Sequence, residues 1–158
     1  MEIFGQTAAG IRTGLLAANA LTILLVYALG KRLYGNIAGV VSGASYGLLS
    51  LGPSVNGFAG HATHFVVLAA GAGLWVLLRA IEERRDWKIF SAGLLFGLAF
   101  LMKQPGAAFG IFGALYLSMT AGWGKGKVQS SVRRLLWFGA GVVLPFGVTC
   151  LVLWRAGV

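Results

Sequence analysis

Acidic residues are nearly absent from this chain. Its 158 residues include four, Glu2, Glu82, Glu83 and Asp86, and three of these crowd into one short stretch. Outside that stretch only Glu2 remains, so no second pair of carboxylates can serve as acid and base or clamp a divalent metal. The apolar runs contain no carboxylate at all, and a proton- or cation-coupled transporter would lack its usual intramembrane acid. Cysteine is confined to Cys150, which excludes an internal disulfide and a thiolate cluster. With two histidines besides, neither a metal nor another cofactor is expected. Charge of either sign is scarce, at 11% against roughly 25% in soluble domains. Soluble, disulfide-rich, disordered and fibrous classes are thereby set aside.

What the chain does have is apolar residues, 58% of the total, and a mean hydropathy of +0.82. Charged and polar punctuation divides it into six runs, at about 13–30, 36–52, 64–81, 87–102, 106–121 and 135–154. Strands are excluded, because lipid offers an open backbone no partner and the runs are too continuous for a barrel. The expected fold is therefore all-α: one polytopic transmembrane bundle over residues 1–158, with about six spans. Several runs fall short of the roughly 20 residues that a crossing needs and must borrow flanking residues. A broken or re-entrant hairpin around Pro105 is the alternative for the fourth and fifth. Pro145 should kink the sixth. The polar stretch between the fifth and sixth reads as a loop.

Thirteen basic residues give a net charge of +9, which alone would suggest nucleic acid. Their positions say otherwise. With six spans, Lys31, Arg32, Arg79, Arg84, Arg85, Lys88, Lys125, Lys127, Arg133 and Arg134 share one side, and only Arg12, Lys103 and Arg155 the other. The positive-inside rule puts the larger group in the cytoplasm. Both termini then lie outside it, in a plasma (inner) membrane protein, and the basic excess is a topology signal with no nucleic-acid partner. Lys31-Arg32 follows the first apolar run, the reverse of a signal peptide. A translocated start carrying Glu2 and Arg12 suggests a longer protein with a further span upstream.

Glycine is abundant, at 25 residues. Four-residue spacings recur at Gly10-Gly14, Gly39-Gly43-Gly47, Gly93-Gly97 and Gly106-Gly110. Such spacing lines one helix face with small residues and lets neighbouring helices approach closely. The second, fourth and fifth spans are expected to be tightly packed. Trp87, Trp123 and Trp154 stand at span ends, as interfacial anchors do.

Five residues are candidates for binding. Lys103 ends the fourth span, and Gln104-Pro105-Gly106 follows. Such a turn would present an ammonium and free backbone N–H groups to a lipid-linked phosphate. The competing reading is a lysine that snorkels to cap the span. Arg12 starts the first span on the same side, as a phosphate or sugar contact or as an interfacial anchor. His61 and His64 close the external segment that begins at Pro53, where they would meet polar ligand groups or simply lie at the interface. Glu82, Glu83 and Asp86 should pair with the basic residues around them.

Three motifs carry a family resemblance. Gly30-Lys31-Arg32-Leu33-Tyr34-Gly35 is similar to the G-R-R-L-F-G that follows the second span of GT-C glycosyltransferases. Ala62-Thr63-His64-Phe65-Val66-Val67-Leu68 resembles a segment of their next external loop, where many relatives carry glutamate in place of Thr63. The stretch from Gly93 to Gly106, GLLFGLAFLMKQPG, resembles their G-L-L-x-G-L-A-x-L-x-K-x-P-G. The group includes the dolichyl-phosphate-mannose protein mannosyltransferases. The resemblance implies transfer of a sugar from a polyprenyl-phosphate donor at the outer face, with inversion. The family's catalytic acid lies in the loop that would precede Arg12, so the catalytic residues are not assigned. Two other classes stay open from the residues alone: a small transporter or channel subunit, and a non-catalytic scaffold.

Overall fold

A computed structural model describes residues 8–50, 52, 62–120 and 125–157. Among them every regular element is helical: α1 (Ala8–Tyr34), α2 (Asn36–Ser50), α3 (Ala62–Glu83), α4 (Asp86–Met102), a 3-10 turn (Gln104–Gly106), α5 (Ala107–Thr120) and α6 (Lys125–Arg155). They fall into two compact units, Met1–Gly71 and Ala72–Val158. The unit boundary lies within α3.

In the first unit a single residue separates α1 from α2. Gly35 adopts φ +93°, a conformation open to glycine, and its N–H bonds the Lys31 carbonyl at 3.0 Å. This left-handed stop closes α1. The chain then turns straight back, and α2 lies antiparallel along α1. The glycine spacing does what it promised. A Cβ at Gly39 would meet the Tyr27 carbonyl at 2.9 Å, one at Gly43 the Tyr27 Cβ at 3.1 Å, and one at Gly47 the Ile23 Cδ1 at 3.4 Å. Steps of four on α2 thus match steps of four on α1.

The second unit is built on α4. Its small face, Ala92, Gly93, Gly97 and Ala99, is buried. Added Cβ atoms at Gly93 and Gly97 would run into the Phe138 and Val142 carbonyls of α6. Gly141 returns the contact, its Cα lying within reach of a Cβ on Gly93 at 3.2 Å. Phe96 and Phe138 meet edge to face at 5.7 Å between centroids. Asp86, in the first turn of α4, bonds Arg133 of α6 at 3.0 Å, and Glu83 pairs with Lys88 and Arg85. Two of the three acidic residues of this stretch, Glu83 and Asp86, are thus paired with basic neighbours.

The packing is inside-out relative to a soluble protein. The core is rich in alanine (Ala18, Ala70, Ala80, Ala92 and Ala99), while Leu24, Ile37, Leu48, Ile111, Leu136 and Val143 lie more than half exposed. Such a surface requires lipid.

Helix bounds differ from the runs in two places. Lys31 and Arg32 were expected to end the first helix, but α1 continues to Tyr34. The polar stretch before residue 135 reads as a loop in the sequence, yet α6 takes in residues 125–134. Charge ends an apolar run, whereas a helix ends where the backbone must leave α geometry. α6 also runs on through Pro145, where the Thr149 hydroxyl bonds the Pro145 carbonyl at 2.9 Å. Among the described residues, three helices contain stretches long and apolar enough to cross a membrane, Gly10–Tyr34, Ala62–Glu83 and Gln129–Arg155. α2, α4 and α5 have 15, 17 and 14 residues, roughly 21 to 26 Å at about 1.5 Å per residue, short of a ~30 Å core.

Candidate functional site

The motif turn after α4 has a defined construction. Lys103 leaves the helix in extended conformation (φ −161°, ψ 137°), and Pro105 falls within the 3-10 turn that follows. Lys103, Gln104 and Pro105 are exposed and Gly106 is buried. Glycine is required there, because a Cβ would collide with the Ala99 carbonyl and come within 2.7 Å of the Phe100 nitrogen. Close approach to α4 therefore fixes the last residue of the motif.

Three backbone donors at this turn are engaged within the chain. The Lys103 N–H bonds the Ala99 carbonyl at 3.3 Å, the Gly106 N–H bonds the Lys103 carbonyl at 2.8 Å, and the Ala107 N–H bonds Gln104 and Pro105. Proline contributes none.

An apolar groove of about 370 Å³ opens beside this turn, between α4, α5 and α6, lined by Phe96, Phe100, Ala107, Gly110, Phe138 and Val142 among others. Phe100 and Ala107 flank the turn in sequence, so one end of the groove lies at the motif. The fifth span departs here from its expected packing. Gly106 abuts its own preceding helix, whereas a Cβ on Gly110 would meet nothing within 4 Å.

In the first unit Arg12 lies exposed near the start of α1. His61 lies outside the described residues, as do Glu2, Asn56 and Trp123. His64 does not sit on a surface loop. It occupies the first turn of α3 with 7% of its surface exposed, and it lines a cavity of about 220 Å³ with Tyr46, Leu49, Ser50, Thr63 and Val67. Behind it runs a polar chain that the motif reading missed. The Asn19 amide donates to Ser50 Oγ at 3.0 Å, and Ser50 donates to the Gly47 carbonyl at 3.0 Å. The Thr22 hydroxyl donates to the Ala18 carbonyl at 2.8 Å, and Tyr46 lies against Thr22. The signal was present in the sequence: Asn19 and Thr22 stand three apart, on one face of an otherwise apolar run. Among the described residues no three His, Cys, Asp or Glu side chains gather as a metal site would require.

The family model for dolichyl-phosphate-mannose-protein mannosyltransferase matches residues 1–154. The chain belongs to that family. No curated protein and no solved structure matches it. As a mannosyltransferase-family member with helices of membrane-crossing length and a lipid-demanding surface, it is an integral membrane protein of glycosyltransferase type. Lys103 and Gln104 stand together in the second unit of this mannosyltransferase-family chain, and Arg12 and His64 belong to the first.

Proposed function

We propose that this mannosyltransferase-family chain is the membrane-embedded part of an enzyme that moves a sugar from a polyprenyl-phosphate donor to an acceptor at the outer face. The observation that carries the reading is the motif turn. It exposes Lys103 and Gln104 at the end of α4, directly beside an apolar groove. A polyprenyl phosphate has the same two parts, an anionic head and an apolar chain. The ammonium takes the phosphate as a point charge, the Gln104 amide adds a neutral donor, and the groove takes the first prenyl units. The ten-to-three division of basic residues supports a cytoplasmic side opposite this turn, both termini outside, and six passages through a plasma membrane.

Binding of a short-chain polyprenyl phosphate to the protein in nanodiscs, followed by calorimetry, tests the assignment. A charge-assisted hydrogen bond is worth about 1.5–3 kcal/mol, so Lys103→Gln should weaken binding by about ten- to a hundredfold. Lys103→Arg should recover part of the loss, because the planar fork presents its donors differently. Unchanged affinity in a well-folded Lys103→Gln protein would leave Lys103 as a snorkelling cap and overturn the phosphate contact.

A further inference from the structure

The corner between α3 and α4 is closed by an arginine where glycine is the usual residue. Arg84 takes φ +52°, and the Arg85 N–H reaches back to the Ala80 carbonyl at 3.2 Å. An L side chain is disfavoured in that left-handed conformation, because its Cβ crowds the following carbonyl. Gly35 and Gly157, the other left-handed positions among the described residues, are glycines. The chain has 25 glycines, yet this helix stop carries an exposed arginine. Closing the helix does not need that side chain, and a backbone held in a sparsely populated region points to a use for what it presents.

The neighbours of Arg84 restrict what it can meet. Glu83 takes Lys88 and Arg85, and Asp86 takes Arg133, which ties α6 to the corner. Arg79, Arg84 and Arg134 stand there in addition, so six cations face three acids, Glu82 included. Arg79 lies over the Trp75 ring at 5.2 Å from its centroid. Arg85 and Arg133 keep 61% and 65% of their side-chain surface exposed even while paired, which leaves guanidinium donors for a ligand. A guanidinium offers two parallel N–H groups to two oxygens of one phosphate.

One turn further along α6 the surface changes character. Leu136 and Trp137 follow Arg133 at three and four residues, on its own face of the helix, and both are exposed. Trp87, in the first turn of α4, is exposed as well, and Trp137 meets Phe90 of α4 edge to face at 6.0 Å. Tryptophan next to cations is how a helix end sits at headgroup level. Guanidinium groups bordering exposed apolar surface match a phospholipid, in which a phosphodiester borders the acyl chains. A soluble anion would answer the cations and leave the apolar surface bare. A zwitterionic lipid brings a cation of its own and would leave the surplus charge unanswered.

We propose that the α3–α4 corner, with the adjoining turns of α6, is a binding site for an anionic phospholipid of the surrounding membrane. Arg84 grips its phosphodiester, and Leu136 and Trp137 meet its chains. α4 has 17 residues, so this site lies roughly 25 Å along the helix from Lys103, at about 1.5 Å per residue. Its ligand is ordinary membrane lipid, so it stands or falls separately from the donor contact.

Native mass spectrometry of the protein released from dodecyl maltoside micelles counts retained lipids and gives the affinity of the first one. Phosphatidylglycerol should bind about tenfold more tightly than phosphatidylcholine with the same acyl chains, since each basic residue near an anionic surface adds to the attraction. Arg84→Gly removes the guanidinium and suits the left-handed backbone. It should melt no lower than the parent, yet bind phosphatidylglycerol about fivefold more weakly, the worth of one basic residue. Arg84→Asn, which also tolerates that backbone, serves if the first variant does not accumulate. Lys31→Gln removes an exposed cation of the first unit and should leave the affinity within about twofold of the parent, because attraction at that distance is screened. Equal retention of the two lipids overturns the proposal, and so does parental phosphatidylglycerol affinity in folded Arg84→Gly. Equal losses in Lys31→Gln and Arg84→Gly would reduce the effect to diffuse attraction and overturn it too. Glycerophosphoglycerol, the same head without chains, should not displace the lipid at equal concentration; if it does, the corner is a site for soluble anions and the lipid assignment falls.

Discussion

Gly93 and Gly97 are two positions where one added methyl group should do damage across a helix contact. They stand one turn apart on the face of α4 that touches α6, and the atoms facing them are backbone. At Gly97 a Cβ would meet the Val142 carbonyl group, with its carbon at 3.0 Å, and the ring of Pro145 at 3.1 Å. At Gly93 it would meet the Phe138 carbonyl group, with its carbon at 3.2 Å. A carbonyl of a continuous helix cannot rotate away as a side chain tip does, so α6 itself must retreat. Overpacking of this kind costs about 1–3 kcal/mol. Alanine in a helix interior recovers about 0.8–1 kcal/mol relative to glycine, and a net loss of up to about 2 kcal/mol remains for either Gly→Ala. The double variant should cost less than the sum, because the retreat of α6 forced by the first methyl also makes room for the second. Gly110, Gly139 and Gly147 supply the internal control. A Cβ at each would meet nothing within 4 Å, so Gly→Ala there should be neutral or stabilising by up to about 1 kcal/mol. Unfolding in mixed detergent–SDS micelles, followed by helical ellipticity, measures all five variants on one scale. If Gly93→Ala and Gly97→Ala unfold with the parent, or if the open-site variants lose as much as they do, the α4–α6 contact does not hold this unit together.

Two further outcomes follow from the polar chain and from the charge distribution. Ser50→Ala alone removes the partner of the Asn19 amide while Asn19 Oδ1 is already unpaired; it should cost about 1–3 kcal/mol, and adding Asn19→Leu should recover most of that loss. The same micelle unfolding assay ranks them, and a double variant no more stable than Ser50→Ala would refute the account. In a Cys150→Ser background, cysteines at positions 56 and 104 should react with an impermeant thiol reagent added outside intact cells, and one at Ser130 only after permeabilisation. Labelling of position 130 from outside would reverse the proposed orientation.

The helical class was legible because composition left lipid as the only solvent, and lipid leaves an apolar run few conformations. The Gly39-Gly43-Gly47 ladder was legible too, since a four-residue repeat on α2 can close only against a neighbour, and α1 is one residue away. Gly106-Gly110 has the same spacing but a different fate. Spacing defines a face without naming what it meets: Gly106 is held by the turn onto Ala99, and Gly110 opens on the groove. Gly113, outside that pair, is the residue of α5 that closes on Phe138, whose Cζ would lie 2.7 Å from an added Cβ. Helix ends misled for a related reason. Lys31 and Arg32 mark where apolar surface stops, and Gly35 marks where the backbone turns. The backbone conformation, as at Gly35, reports the second, and the hydropathy pattern reports the first.

The site was legible where its logic is local and hidden where it depends on tertiary placement. Lys103-Gln104-Pro105-Gly106 builds its turn from its own chemistry: an extended lysine, a proline that cannot continue the ladder, and a glycine that alone fits against Ala99. Reading it required no neighbour. The number of its free N–H groups did require one, because the carbonyls that take them belong to α4 and to the turn itself. His64 shows the other case. In the sequence it closes a polar segment and looks like a surface residue. Its burial arises because the first turn of α3 meets the end of α2 at Tyr46 and Ser50, positions 18 and 14 residues earlier in the chain. Asn19 and Thr22 complete the group from α1. Five polar side chains from three helices, of which the sequence singles out His64 alone, come together only once the antiparallel α1–α2 pair has been formed by its glycines.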